Sequence, residues 1–334
     1  MPSNGIKRWL VRRSRRAVGV DALSVDLAAL AEELRSRADA ADAASHELHE
    51  LLDAISAAHH ETRELALRFA DRWPEMGARL EDHERKLRVR AVMDWIDALP
   101  GTASSLVSVV LPTRDRAELL GRAAASVLGQ SHARWEMLII DDASEDETPD
   151  VIAALVAGDD RIRSYTGSGR GACAARNLAL DNAKGDIVVY LDDDNLMHPN
   201  WLKSVVWAFQ QRSDVDVLYG AIVVDDPARL DGRSQGGEPP QMYFHQYDHD
   251  EVTQHNIADM GVIAHRAGLA EAHFDESLRE MGDWDLFVRL TRPRAPLALP
   301  AVACFYTTDA WNRLTGGPTA SADLDAVRAK HRST

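Results

Sequence analysis

An apolar run, Ile187 to Leu191, leads directly into three consecutive carboxylates, Asp192, Asp193 and Asp194. This stretch restricts the fold more than any other in the chain. A strand without polar alternation is covered on both faces, which is the habit of parallel sheets. Chemistry in such open sheets collects where strands end. Adjacent carboxylates repel one another, and burying them is costly unless positive charge lies between them. Mg²⁺ or Mn²⁺ suits such a place. A hard cation takes one or two carboxylates, keeps waters, and accepts further oxygens from a substrate diphosphate. The alternative is a solvated acidic turn, and the strand in front favours the metal site.

The surrounding sequence repeats this grammar. Leu106–Leu111 is a strand followed by Pro112-Thr113-Arg114-Asp115. Ala117–Gly129 is helical, and Glu136–Ile140 is a strand ending at Asp141-Asp142. Helices are expected over Pro149–Val156, Cys173–Ala183 and near Trp201–Gln210. Further strands are expected over Ile162–Tyr165 and near Val215–Val224, with a loop at Gly232–Pro240. Alternation at this spacing implies βαβ units, hence an α/β domain with a mostly parallel central sheet.

The segment before it reads differently. Leu23, Leu27, Leu30 and Leu34 recur at four-three-four spacing, and Leu48, Leu52, Ile55, Thr62, Leu65 and Phe69 continue the rhythm. Such stripes predict amphipathic helices over residues 21–99, kinked at Pro74 and stopped by Pro100-Gly101. A narrow stripe needs a partner: a second copy of the chain, giving a homo-oligomer, or the catalytic domain itself. Adjacent His59 and His60 diverge on a helix and read as surface. The expected organisation is a basic arm (1–20), a helical, coiled-coil-like accessory domain (21–100), a catalytic domain (105–310) and a tail (311–334).

Charge narrows the function classes. The net charge is −15, yet residues 1–16 hold six cations and no acid. The remainder carries 32 basic against 53 acidic residues, a balance of −21 that argues against general nucleic-acid binding. The arm, with Ile6, Trp9 and Leu10 among its cations, can contact an anionic lipid surface or remain a solvated extension. No run of 18 apolar residues occurs, and residues 1–16 lack the apolar core of a signal peptide. A cytoplasmic setting follows, with peripheral contact at the inner face of the membrane. Cys173 and Cys304 are then expected reduced and packed.

Five features stand in order: Val107-Ser-Val-Val-Leu-Pro-Thr-Arg-Asp-Arg116, Ile139-Ile-Asp-Asp-Ala-Ser144, Ala175-Arg176-Asn177, Asp192–Asp194, and Phe274-Asp-Glu-Ser-Leu followed by Gly282-Asp283-Trp284-Asp285-Leu286 and Arg289. Over about residues 105–292 the chain resembles an inverting family-two glycosyltransferase of the GT-A fold. The resemblance implies a nucleoside-diphosphate sugar, a UDP-sugar first among them, bound by Pro112, Thr113, Asp115, Asp141, Arg170, Asn177, Asp192 and Asp193. It implies Mn²⁺ or Mg²⁺ held directly by Asp194, with Asp192 on the ribose or on a metal-bound water. Asp193, between them, is expected to point the other way. Asp283 falls where the family has its general base, with Asp285 as rival and Arg289 placed to pair with these acids. Gly282 departs from the family's Glu-Asp pair. A helix N-terminal role is the structural alternative for Asp283.

Other features carry less. Gly167-Ser-Gly169-Arg170-Gly171 only superficially matches a dinucleotide fingerprint and reads as a flexible substrate loop. His245, His249 and His255 match no tetrahedral zinc spacing and suit an acceptor-contacting loop. His265 and Asp309 are the available guesses for a further metal ligand. The acceptor implied by the resemblance is a cell-surface glycan or lipid-linked saccharide; a peptide or secondary metabolite stays open. The competing classes are a nucleotidyltransferase and a helical scaffold carrying an inactive sugar-nucleotide-binding domain. The first would want a Gly-rich loop with Lys after the first strand, which Pro112-Thr-Arg-Asp lacks.

Overall fold

The structure, a computed structural model, describes residues 81–99, 105–225, 240–307 and 320–332, with the single positions 29, 32, 57, 60, 61 and 64. The arm at 1–16, the leucine stripes between 21 and 80, almost all of the 232–240 loop and Asp309 lie outside the described residues. The chain divides into two compact units, Met1–Glu84 and Arg85–Thr334. In the first, every described position is helical and most are exposed. Among the described residues no helix is long and apolar enough to cross a membrane.

The second unit is built on a nine-stranded sheet ordered β3-β2-β1-β4-β8-β6-β9-β5, with β7 paired to β6. The first four in chain order are β1 (Val107–Thr113), β2 (Trp135–Asp141), β3 (Ile162–Thr166) and β4 (Ile187–Tyr190). They run parallel, with β1, β2 and β4 predominantly apolar and β3, Ile-Arg-Ser-Tyr-Thr, buried at Ile162 and partly or fully exposed after it. Every residue of β1, β2 and β4 is buried. Three helices connect them: α1 (Ala117–Leu128), α2 (Thr148–Gly158) and α3 (Ala172–Asn182). The expected boundaries hold to within two residues.

Beyond β4 the sheet becomes mixed. Short β5 (Asn195–Met197) leads to α4 (Trp201–Gln211) and the long β6 (Val217–Asp225), which carries β7 (Gln241–Tyr243). After the one-turn α5 (His249–Val252), β8 (Ile263–Arg266) runs antiparallel to both β4 and β6. Helix α6 (Gly282–Thr291) precedes β9 (Leu297–Thr307), parallel to β6 and antiparallel to β5. The strict βαβ rhythm ends with α4, and parallel order largely ends with it.

Two helical segments flank the sheet within this unit. Helical residues 85–98 belong to this unit: Val89 and Ile96 are buried, and the Lys203 ammonium donates to the carbonyl oxygens of Asp97 (3.2 Å) and Leu99 (2.7 Å). A cation there meets the unsatisfied carbonyls and negative dipole end of a helix C-terminus. At the other end, residues expected as a tail form α7 (Ala320–Arg332), with Val327 fully buried.

Candidate active site

Parallel register aligns the ends of β1 and β2, so Thr113 lies beside Asp141, and Asp141 beside Thr166 on β3. Leu191 continues β4 along β1 by donating its N–H to the Val110 carbonyl at 3.0 Å. The sequence-selected residues of the first three strand ends therefore share one edge of the sheet.

The three aspartates diverge at that edge. Asp193 is buried, and its carboxylate accepts from Thr113 Oγ1 (2.7 Å) and Arg116 Nη1 (2.7 Å). The same Arg116 nitrogen lies 3.3 Å from Asp194 Oδ2. On the other side Arg176 Nη2 donates to Asp192 Oδ1 at 2.6 Å. Burial pushes Asp193 up to about 6 despite Arg116 and Thr113. Asp193 thus anchors the turn onto β1 and Arg116, away from the sides that Asp192 presents to Arg176. Arg116 was not singled out from sequence; a cation on the loop after β1, opposite three acids, was the available signal.

The loops are held by carboxylates. Asp141 Oδ1 accepts from Ser144 N (2.9 Å), and Asp115 Oδ1 from Glu145 N (2.6 Å), with Asp115 and Ala143 both at positive φ. Asp142 pins the glycine loop: Gly169 N donates to Oδ1 (2.9 Å) and Gly171 N to Oδ2 (2.6 Å). Gly169 and Gly171 take φ of 71° and 100°, which side chains resist. The expected flexible loop is therefore a pinned one. Two backbone N–H groups, two residues apart, on one carboxylate hold it. Arg170, exposed on that loop, pairs with Glu276 at 2.7 Å.

Asn177 is committed elsewhere. Its amide is buried, donating to the Phe274 carbonyl and to Glu276 (both 3.0 Å) and accepting from Phe274 N (2.7 Å). It ties α3 to the segment before α6. Pro112 is buried within β1. His265 is also corrected. Its Nε2 meets the Tyr190 hydroxyl (2.7 Å), its Nδ1 the Arg266 carbonyl (2.8 Å), and burial lowers it to about 4. With both nitrogens occupied, no metal-binding nitrogen remains.

Helix α6 separates the two base candidates. Asp285 is fully buried and neutralised: Arg289 Nε (2.8 Å), Lys330 Nζ (2.8 Å) and His331 Nε2 (2.9 Å) surround it. Burial would raise its carboxyl, but Lys330 and Arg289 outweigh that and lower it. Asp283 is half-buried in the first turn. Its Oδ1 accepts from Trp284 N (2.8 Å) and its Oδ2 from Asn256 Nδ2 (3.0 Å). Burial and the charge of Asp192 raise its carboxyl, against the pull of Trp284 N–H, Arg176 and Asn256. The Trp284 indole N–H bonds the Val252 carbonyl at 2.6 Å, locking the helix in place. Gly282 has a packing reason: a Cβ there would stand 2.4 Å from Cys173 Sγ. Both cysteines are free and buried, as expected.

Sequence reading missed Asp259, which burial and the charges of Asp192 and Asp283 push up to about 7. Asp259 and Asn256 line a cavity of about 220 Å³ with Gly220, Ile222, Tyr243 and His245. The Tyr243 and His245 rings lie near-parallel, 20° apart in plane. His249 heads α5 and does not line the cavity, and a lone Asp between Ala258 and Met260 offered no sequence signal for Asp259.

Five carboxylates, Asp192, Asp193, Asp194, Asp259 and Asp283, thus interact with two guanidinium groups, Arg116 and Arg176. Burial, with repulsion from neighbouring carboxylates second, raises Asp193, Asp259 and Asp283, and the excess of acid over base suits a cation. Two buried atoms without a hydrogen-bond partner lie in the same turn and helix, Arg176 Nε and Asn195 Oδ1. Among the described residues, no three His, Cys, Asp or Glu side chains are grouped to hold a metal. The donor set fits an ion held by one or two carboxylates and completed by a diphosphate, not one caged by protein.

Residues 108–270 match the family model described as Glycosyl transferase family 2. The chain is 31% identical over 188 residues to the putative colanic acid biosynthesis glycosyl transferase WcaA of Escherichia coli (strain K12), covering 55% of this chain and 66% of that protein. It is 38% identical over 128 residues to the putative teichuronic acid biosynthesis glycosyltransferase TuaG of Bacillus subtilis (strain 168), covering 38% and 51%. The chain therefore spans between half and two thirds of these relatives. The fold is similar to that of S. aureus TarS 1-349 in complex with UDP-GlcNAc, with a TM-score of 0.54, 17% identity, and coverage of 67% of this chain and 64% of that one.

Proposed function

Because residues 108–270 form a domain that belongs to glycosyl transferase family 2, we propose that this protein is an inverting glycosyltransferase using a nucleoside-diphosphate sugar. One observation carries the reading. The candidate base Asp283 feels the charges of Asp192 and Arg176, so the helix carrying it and the end of β4 face one site.

The donor is assigned to the sheet edge. Asp141, Asp115 and Thr113 take the nucleoside; uracil offers an N–H to a carboxylate, which favours a UDP-sugar. Arg176, with a partnerless Nε beside its Asp192 contact, takes the diphosphate, a task suited to a guanidinium fork. Arg170, on the pinned loop, closes over the same group after releasing Glu276. Asp194 and Asp192 hold Mg²⁺ or Mn²⁺, which when bound supplies charge to offset the departing nucleoside diphosphate.

The acceptor enters through the cavity lined by Tyr243, His245, Asn256 and Asp259, beside Asp283. Asp283 takes the hydroxyl proton as that oxygen attacks the anomeric carbon, and the bond to the diphosphate breaks on the opposite face. A raised carboxyl is the more effective proton acceptor once ionised. Asn256 holds one of its oxygens in orientation. Asp193, Asp142 and Asn177 position the loops and do not touch substrate. The relatives named for colanic and teichuronic acid biosynthesis support a cell-surface glycan as the product. The leucine stripe at 23, 27, 30 and 34 supports self-association through the N-terminal segment, read by light scattering with and without residues 1–84.

Nucleoside diphosphate release is measured across a panel of nucleotide sugars, with and without Mn²⁺, for the wild type and Asp194→Ala. Turnover that needs the cation and Asp194 is expected. No release from any donor would refute the enzymatic reading and favour a scaffold. Full turnover in excess chelator would refute the metal assignment alone.

A further inference from the structure

Helix α7 reaches three of the segments around Asp283. Asp323 Oδ2 accepts the backbone N–H groups of Arg279 and Glu280, each at 2.7 Å, in the turn that enters α6. Arg328 donates from Nη2 to the Gln254 carbonyl at 3.1 Å, two residues before the Asn256 that bonds Asp283. Lys330 pairs with Asp275 and Asp285, both at 2.8 Å, and His331 with Asp285 at 2.9 Å. Asp275 adjoins Phe274 and Glu276, the two residues that Asn177 ties to α3, the helix of Arg176.

The chemistry of these contacts is informative. Val327 is the single fully buried apolar residue described on α7, with Leu324 partly buried against the core. Apolar burial is non-directional, whereas hydrogen bonds to backbone groups fix orientation. A helix attached mainly by such bonds, at three places around one carboxylate, sets that carboxylate's position.

We propose that α7 is a clamp, and that Asp323, Arg328 and Lys330 are positioning residues which hold Asp283 in line with the donor edge at Asp192. The inference rests on the glycosyl-transfer reading for its catalytic consequence and on geometry alone for the clamp. The first turn of α6, carrying Asp283, is gripped from before (Asp323), from beside (Arg328, through the Asn256 segment) and two residues on, at Asp285 (Lys330). Releasing one grip moves Asp283 relative to the donor and leaves the nucleotide-binding loops, which α7 does not touch in these contacts.

The test uses the full chain with Arg328→Ala and Lys330→Ala, whose side chains are not buried, and Lys330→Arg as the conservative rescue. Amide hydrogen exchange reads the clamp. Faster exchange at residues 279–286, with β1 to β4 unchanged, is expected, restored by Lys330→Arg. Steady-state kinetics reads the consequence. Transfer kcat per folded molecule should fall by about tenfold to a hundredfold, the scale of an ångström-level misplacement, while donor KM stays near wild type in both variants. Melting temperature stays near wild type in Arg328→Ala and falls in Lys330→Ala, because buried Asp285 loses one partner. Unchanged exchange at 279–286 overturns the clamp. Faster exchange with undiminished kcat, or a kcat loss that tracks donor KM, overturns positioning. Absence of wild-type turnover on nucleotide sugars would refute glycosyl transfer, and with it the catalytic role, and exchange would still judge the clamp.

Discussion

Asp283 and Asp285 stand two residues apart on one helix, and replacing each by Asn separates a chemical role from a structural one. Asp285 has no exposed surface and sits among Arg289, Lys330 and His331 at 2.8–2.9 Å. Asp285→Asn leaves Arg289 and Lys330 facing a neutral amide. Breaking a buried ion pair from one side costs about 3–5 kcal/mol. The lower half of that range applies, because Lys330 is 39% exposed and its charge is partly screened. For a unit of this size each kcal/mol moves the melting temperature by about 2–4 °C, so a drop of roughly 6–16 °C is expected. Asp283 behaves oppositely. Its carboxyl is raised by burial and by Asp192, so the charged form is the strained one. Asp283→Asn removes that charge and loses at most the bond from Asn256, so stability stays within about 1 kcal/mol of wild type. Its transfer kcat should fall about a hundredfold to ten-thousandfold, the range for a lost general base, with nucleotide affinity retained. Thermal denaturation, nucleotide titration and turnover per folded molecule measure all three quantities. A stable but inactive Asp285→Asn beside an active Asp283→Asn would refute the assignment and move the base by two residues.

Two further outcomes follow from packing and charge. Gly282→Ala should destabilise by about 1–3 kcal/mol, because its Cβ meets Cys173 Sγ at 2.4 Å. Cys173→Ala in the same chain should recover most of that loss, and strictly additive effects of the pair would show that the two sites do not collide. Asp259 is raised to about 7, so its contribution to stability is fully present below the ordinary carboxylate range and is lost as pH rises through about 7. Asp259→Asn should flatten denaturation midpoints between about pH 4 and about pH 7, and an unchanged pH dependence would place the effect elsewhere.

The parallel half of the fold was legible because its signal is local. Predominantly apolar strands at β1, β2 and β4, broken only by buried Ser108 and Glu136 before their polar ends, are buried on both faces of a sheet. That geometry also delivers Thr113, Asp141 and the Asp192 turn to one edge, since parallel strands in register end together. The antiparallel half was not legible. β8 is four residues long and β5 three, too short for a periodic pattern, and each is defined by a partner far along the chain. The helix at α7 read as a tail because Val327 is its one deeply buried apolar residue.

The site divides along the same line. Runs of carboxylate after an apolar strand marked its location, because charge clustering is written in adjacent residues. Which carboxylate does what depends on neighbours that only folding supplies. Asp283 and Asp285 share a helix turn and a residue type, but Lys330 and His331 arrive from α7 to neutralise one of them. Asn177 lies in an expected binding motif, and the Phe274 backbone, 97 residues away, takes its amide. Asp259 acquires its perturbed carboxyl from Asp192 and Asp283, brought beside it by β8 pairing with β4 and by the docking of α6. Residue type and spacing decided which chemistry was available and on which edge of the sheet. Burial and long-range electrostatics, which exist only once distant segments meet, decided which of those groups were left to perform it.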